Sequence, residues 1–201
     1  MFALLSPALL AAVLALLSRR SLASLMRLRI DWWPLGLTAF ATELALTSTP
    51  LGRSEWSLTW GSTVWVGALV AIAVVLGRNA WVGGGAGRWG WTLATLGVAA
   101  NVLVVVANDG HMPQDQGARA LAGASIERVA GLASEPGWHN VAPMTGDSRL
   151  SWLGDVLPEP AWLPLHNVMS VGDLCLGLGL AIIVFFATEA APNRRTALAA
   201  A

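Results

Sequence analysis

The chain contains no lysine, no tyrosine and one cysteine, and charged residues make up only 12% of its 201 positions. Soluble domains carry roughly twice that share, about 25%. With 55% hydrophobic residues and a mean hydropathy of +0.61, so short a chain cannot hide its apolar surface unless lipid covers part of it. The lone Cys175 rules out an intrachain disulfide and a cysteine-based zinc site. It falls in an apolar stretch, where it reads as a small buried hydrophobe. All positive charge comes from arginine, and that bias reflects composition rather than chemistry. Formal net charge is zero, so there is no basic field to recruit nucleic acid. Positive charge is also missing ahead of the first apolar run. Met1 to Ser18 is uncharged and Arg19 and Arg20 follow it, the reverse of a secretory signal.

Neither an HExxH spacing nor a GxSxG elbow occurs. His111, His139 and His166 all fall in one polar segment and not in apolar runs, so a haem held by paired histidines within a bilayer is excluded. They read as ordinary polar residues, and neither a metal nor a cofactor is expected. Gly85 to Gly90 matches GxGxxG, but a dinucleotide fingerprint needs a preceding strand in a βαβ unit. Here it reads as a flexible turn.

What the chain does have is apolar runs. Crossing ~30 Å of hydrocarbon takes about 20 mostly apolar residues. Five stretches qualify or come close: 2–17, 32–47, 63–76, 89–107 and 168–188. The expected fold is therefore an all-α integral membrane bundle of five transmembrane helices in one domain, with an outer cap at 108–167. The basic segment Arg19–Arg29 has apolar residues at helical spacing and is expected to lie on the membrane surface. With five spans, Arg19, Arg20, Arg27, Arg29, Arg78, Arg88, Arg194 and Arg195 share one side. Only Arg53, Arg119, Arg128 and Arg149 lie on the other. The positive-inside rule then places the N-terminus outside and the C-terminus in the cytoplasm of an inner membrane. Four or six spans would strand the last arginine pair on the wrong side. Tryptophans gather near the expected helix ends, as an aromatic belt requires.

The cap holds six of the ten prolines. A surface helix is expected from Gln116 to Ala133, and Pro158, Pro160 and Pro164 forbid a regular helix before the fifth span. Polar residues inside spans are costly and point to function by default. Glu43 and Asn101 are the intramembrane pair. Glu43 is expected to make a structural contact, since no second acid falls at its depth, and Asn101 to bind helices together. Asp173, at the start of the fifth span, can cap a helix.

Four motifs then form a pattern: Arg27-Leu-Arg-Ile-Asp-Trp-Trp33, Asn108-Asp-Gly-His-Met-Pro113, Leu153-Gly-Asp-Val-Leu-Pro-Glu-Pro160 and Ser170-Val-Gly-Asp-Leu174. Together, from about Leu4 to Phe186, they resemble a bacterial family of small polytopic membrane proteins known only as a domain of unknown function. The resemblance implies membrane location and this helix layout, and no substrate, cofactor or catalytic residue. Asp109 stands where that family has a glycine.

The two outer motifs are expected to pack against each other above the helices, because irregular backbone cannot face lipid. Asn108, Asp109, His111, Asp155 and Asp173 form the candidate cluster. The expected role is non-enzymatic, with an outer surface for lipid headgroup, solute or membrane-protein partner. The alternatives are an accessory subunit of a larger complex, and an enzyme or transporter using the outer carboxylates.

Overall fold

The computed structural model describes residues 12–13, 16–17, 20–123, 137–162 and 167–190. It is mostly helical. Helix α1 is Trp33–Ser48, α2 is Glu55–Val82, α3 is Gly87–Ala107, α4 is Gln116–Leu121 and α5 is Val171–Ala187. Two of them, α2 and α3, are long and apolar enough to cross a membrane, whereas α5 is a shorter apolar helix. The first expected span lies mostly outside the described residues, though residues 12–13 and 16–17 are helical. The basic stretch that follows forms a 3₁₀ helix, Leu22–Arg27.

The third helix was expected over 63–76, but α2 begins eight residues earlier. Ser54 caps it by accepting a bond from the Ser57 amide at 3.3 Å, and Glu55 sits favourably in the first turn. The gap expected between the second and third spans, 48–62, thus contracts to a 3₁₀ turn at Pro50–Arg53. Trp65 now lies ten residues inside a helix rather than at an end.

Helices α3 and α5 cross in close contact because small residues line the crossing. A Cβ at Gly90 would stand 2.8 Å from the Gly179 carbonyl oxygen, and one at Gly179 only 2.6 Å from the Ala94 nitrogen. Small residues let backbones approach when no water drives helices together.

An all-α bundle is not what forms above the helices. Strands β2 (Met112–Gln114), β3 (Val141–Pro143), β4 (Asp155–Pro158) and β5 (Val168–Ser170) make a four-stranded sheet in the order β3-β2-β4-β5. The pairs β2–β3 and β2–β4 are parallel, and β4–β5 is antiparallel. Part of the cap backbone expected to be irregular is thus paired in ladders, which give its N–H and C=O groups partners. Separately, β1 (Arg20–Ser21) pairs antiparallel with β6 (Glu189–Ala190) at the opposite end of the bundle. Of the expected surface helix only α4 falls among the described residues.

Trp138 fastens the cap. Its indole N–H donates to Ser62 Oγ at 2.9 Å, and its ring meets Trp65 edge-on at 5.7 Å. Gly61 leaves the space for it, since a Cβ there would stand 2.6 Å from the ring. Leu46, Leu69, Val104, Val105, Met112 and Leu153 complete this core. A second core at the far end joins Leu76, Trp91, Ala94, Val98 and Ile183.

Outside these cores, some polar residues are buried and many apolar ones are exposed. Ser57, Asn79, Asn101, Gln114, Asp155 and Ser170 are buried, while Leu37, Phe40, Val70, Leu96, Leu103 and Leu178 stand on the outer helix faces. An exposed apolar surface of this extent marks an interaction with lipid or protein.

Candidate functional site

The site begins with the start of α5. Ser170 and Asp173 form a reciprocal capping box. Ser170 Oγ accepts from the Asp173 amide at 2.9 Å, and Asp173 Oδ2 accepts from the Ser170 amide at 3.2 Å. The other Asp173 oxygen accepts from Asn101 Nδ2 at 2.7 Å, and the Ser170 hydroxyl donates to Asn101 Oδ1 at 2.8 Å. Asn101 on α3 therefore spends its amide on holding the first turn of α5. Only glycine fits at 172, where a Cβ would overlap Asn101 Oδ1.

Next to the box lies β4, with Asp155 opposite Ser170 in register. Asp155 is buried, 7% exposed. Gln114 Nε2 donates to its Oδ2 at 3.2 Å, and Arg119 Nη1 donates to Gln114 Oε1 at 2.5 Å. Burial pushes the Asp155 carboxyl up to about 7, and the nearby Asp173 charge adds to the rise. The Gln114 bond and Arg119 pull the other way and do not cancel it.

Glu43 on α1 lies within electrostatic reach of Asp173 and beside the Trp65 indole N–H. That N–H is buried and closes no hydrogen bond of normal geometry among the described residues. Glu43, Asp173 and Asp155 thus form a series from α1 through the head of α5 into the cap.

The other members of the expected cluster stand apart from this series. Asn108 ends α3, with its Nδ2 donating to the carbonyls of Val104 and Arg149 at 2.7 and 2.8 Å. Its Oδ1 accepts from the Arg149 amide at 2.9 Å. Asp109 is exposed and has φ of 54°, a left-handed conformation that aspartate tolerates better than most residues. The position asks for glycine-like backbone, and aspartate supplies it. His111 is half-buried. Among the described residues the side chains of Asp109 and His111 join none of the bonds of the Asp155–Asp173 series.

Residue reasoning from the sequence missed Ser170, Gln114, Arg119 and Trp65. Ser170 carried a readable signal, the Ser-x-x-Asp of a capping box. Gln114, Arg119 and Trp65 did not, because their roles depend on strand pairing and helix crossing.

The arrangement can take up and release a proton near neutral pH. It presents no nucleophile held by a base, and no group of three metal-ligating side chains is poised for a metal among the described residues.

A family model matches residues 27–185. The chain belongs to DUF5317, a family of unknown function. The DUF5317 match takes in α1, α2, α3, the sheet and nearly all of α5, so the carboxylate series lies wholly within it. No curated protein and no solved structure matches this chain.

Proposed function

We propose that the chain is a non-enzymatic inner-membrane protein of five spans, N-terminus outside, whose outer cap is a binding surface seated on the bundle through the carboxylate series. The observation that carries this reading is the buried Asp155, held in the cap sheet directly opposite Ser170, the residue that caps α5. A carboxyl so placed makes the seating of the cap depend on its protonation. The apolar outer faces, the two long helices and the arginine asymmetry support membrane insertion. Pairing of β1 with β6 supports a common side for the Arg19–Arg29 segment and the C-terminal tail. Helices α1 and α5, at roughly 1.5 Å per residue, reach about 24–26 Å. Flanking residues and local bilayer thinning make up the remainder.

The second reading, proton transfer through the bundle, is favoured by one observation, the Glu43–Asp173–Asp155 series. Proteoliposomes carrying a pH gradient and an entrapped dye separate the two. The binding-cap reading expects no proton flux above empty vesicles, and Glu43→Gln that inserts and melts within about 1 kcal/mol of the parent, as isosteric changes at half-buried sites do. Flux present in the parent and abolished by Glu43→Gln would reverse the preference. Elution from mild detergent with a stoichiometric partner would instead favour an accessory subunit.

A further inference from the structure

A cleft of about 540 Å³ opens at the end of the bundle opposite the cap. Its walls come from three places: the segment before α1, the glycine-rich turn 83–87 between α2 and α3, and the end of α5. Two arginines line it, Arg29 and Arg88. Both are exposed, and among the described residues neither side chain makes an ion pair or hydrogen bond. The one acid among the described residues that line the cleft, Asp31, is already committed. Arg78 Nε donates to it at 3.3 Å, and Asn79 clamps its backbone from both sides, at 2.9 and 3.0 Å. The cleft therefore holds two unspent positive charges against a neutralised negative one.

The backbone adds to this field. Helix α3 starts at Gly87 with Ala86 before it, and no side chain caps it. The positive end of its dipole lies at the cleft. A Cβ at Gly84 or Gly85 would meet nothing within 4 Å, so the turn leaves open room for a ligand of phosphate size. The lining is also partly apolar, with Val82, Trp91, Ile183 and Phe186. Phe186 and Val82 are each about half exposed, and Trp81 and Trp89 project beside them. Indole rings at this level suit the boundary between headgroups and acyl chains.

A site with two free guanidinium groups, a helix N-terminus and an apolar flank fits one ligand chemistry, an anionic phosphate carrying hydrocarbon. We propose that this cleft binds a phosphate group, supplied by an anionic phospholipid of the cytoplasmic leaflet, through Arg29 and Arg88. Guanidinium forks match phosphate oxygens in charge and spacing. The acyl chains lie along Val82 and Phe186. The lipid source rests on the five-span reading, which turns this end of the bundle to the cytoplasm. Anionic headgroups are concentrated there.

The test uses the full chain in a zwitterionic detergent, titrated with phosphatidylglycerol, phosphatidylcholine or inorganic phosphate while thermal melting is followed. Phosphatidylglycerol should raise the melting temperature and phosphatidylcholine should not. Arg29→Gln with Arg88→Gln should weaken the phosphatidylglycerol response by about tenfold or more. The matched pair Arg53→Gln with Arg149→Gln, which removes the same charge at the cap end, should leave it intact. A circular dichroism spectrum like the parent's shows that each pair folds. An equal response to phosphatidylcholine, or no difference between the two double variants, overturns the proposal. Inorganic phosphate acting alone at millimolar concentration, with no added gain from lipid, overturns the lipid source. Sidedness does not enter a detergent titration, so a wrong topology would leave this result standing and fail in fusion experiments instead.

Discussion

Gly172→Ala should unseat the cap from the bundle. The added methyl group has no room, because its position overlaps Asn101 Oδ1 and lies 2.5 Å from the Gly97 carbonyl oxygen. Neither obstacle is the end of a flexible chain. Asn101 is held by Asp173 at 2.7 Å and Ser170 at 2.8 Å, and Gly97 is helix backbone. Relief requires α5 to move away from α3, which breaks both bonds in a buried setting. Overpacking of this kind costs about 1–3 kcal/mol, and each buried bond left unmade adds about 1 kcal/mol or more. The expected loss is therefore about 3 kcal/mol or more, read as a lower melting temperature or urea midpoint in detergent. Gly67→Ala is the control. It lies in α2 with nothing within 4 Å of the new methyl, and alanine favours a helix over glycine by about 1 kcal/mol. It should melt no lower than the parent. If Gly172→Ala did the same, the helices would not cross as described.

Asp155→Asn should change how stability depends on pH. In the unfolded chain the carboxyl has its ordinary value of 3.8, and in the folded protein it stands at about 7. Between those values the folded state holds the extra proton, so stability falls as pH rises through the window and levels off above it. The sign is that of a buried acid whose charge is unwelcome, not of one held in an ion pair. Asparagine keeps the shape, and its amide oxygen can still accept from Gln114. The slope should vanish. At pH 8 the variant should exceed the parent by up to about 4 kcal/mol, the free-energy equivalent of the pKa difference. At pH 4 the two should nearly coincide. Urea titrations at several pH values measure this, and parallel curves for the two proteins would contradict it.

The helices were legible in the sequence because hydropathy is a local property. Runs such as Trp89–Ala107 and Leu174–Phe186 announce themselves whatever they pack against. Their ends were less so. The stretch from Glu55 to Ser62 reads as a polar link by composition, yet Ser54 and Ser57 form a cap and the helix runs through it. The four-stranded sheet was not legible at all. Its strands are three or four residues long, carry Pro113, Pro143 and Pro158, and pair segments from about 10 to about 40 residues apart without alternating polarity. Trp138 reads from the sequence as one of three tryptophans of the outer segment, but it is buried in the core at 7% exposure. Only the Gly61 notch in α2 explains that, and a notch is a property of packing. Of the candidate cluster, Asp155 and Asp173 come together, joined by Asn101 from the intramembrane pair, because helix capping and strand register both converge on Ser170. Asp109 and His111 join none of those bonds among the described residues, and at Asp109 the requirement is a left-handed backbone rather than side-chain chemistry.

The central claim is that five spans place the cap outside and the arginine-rich ends in the cytoplasm. Paired reporter fusions measure it most directly, one joined after Gly117 in the cap and one after Arg195 in the tail. Alkaline phosphatase, active only when exported, should be active at Gly117 and silent at Arg195. A fluorescent protein that matures only in the cytoplasm should show the reverse. Activity of the exported reporter after Arg195, or of the cytoplasmic one after Gly117, would contradict the five-span topology and with it the outer position of the cap.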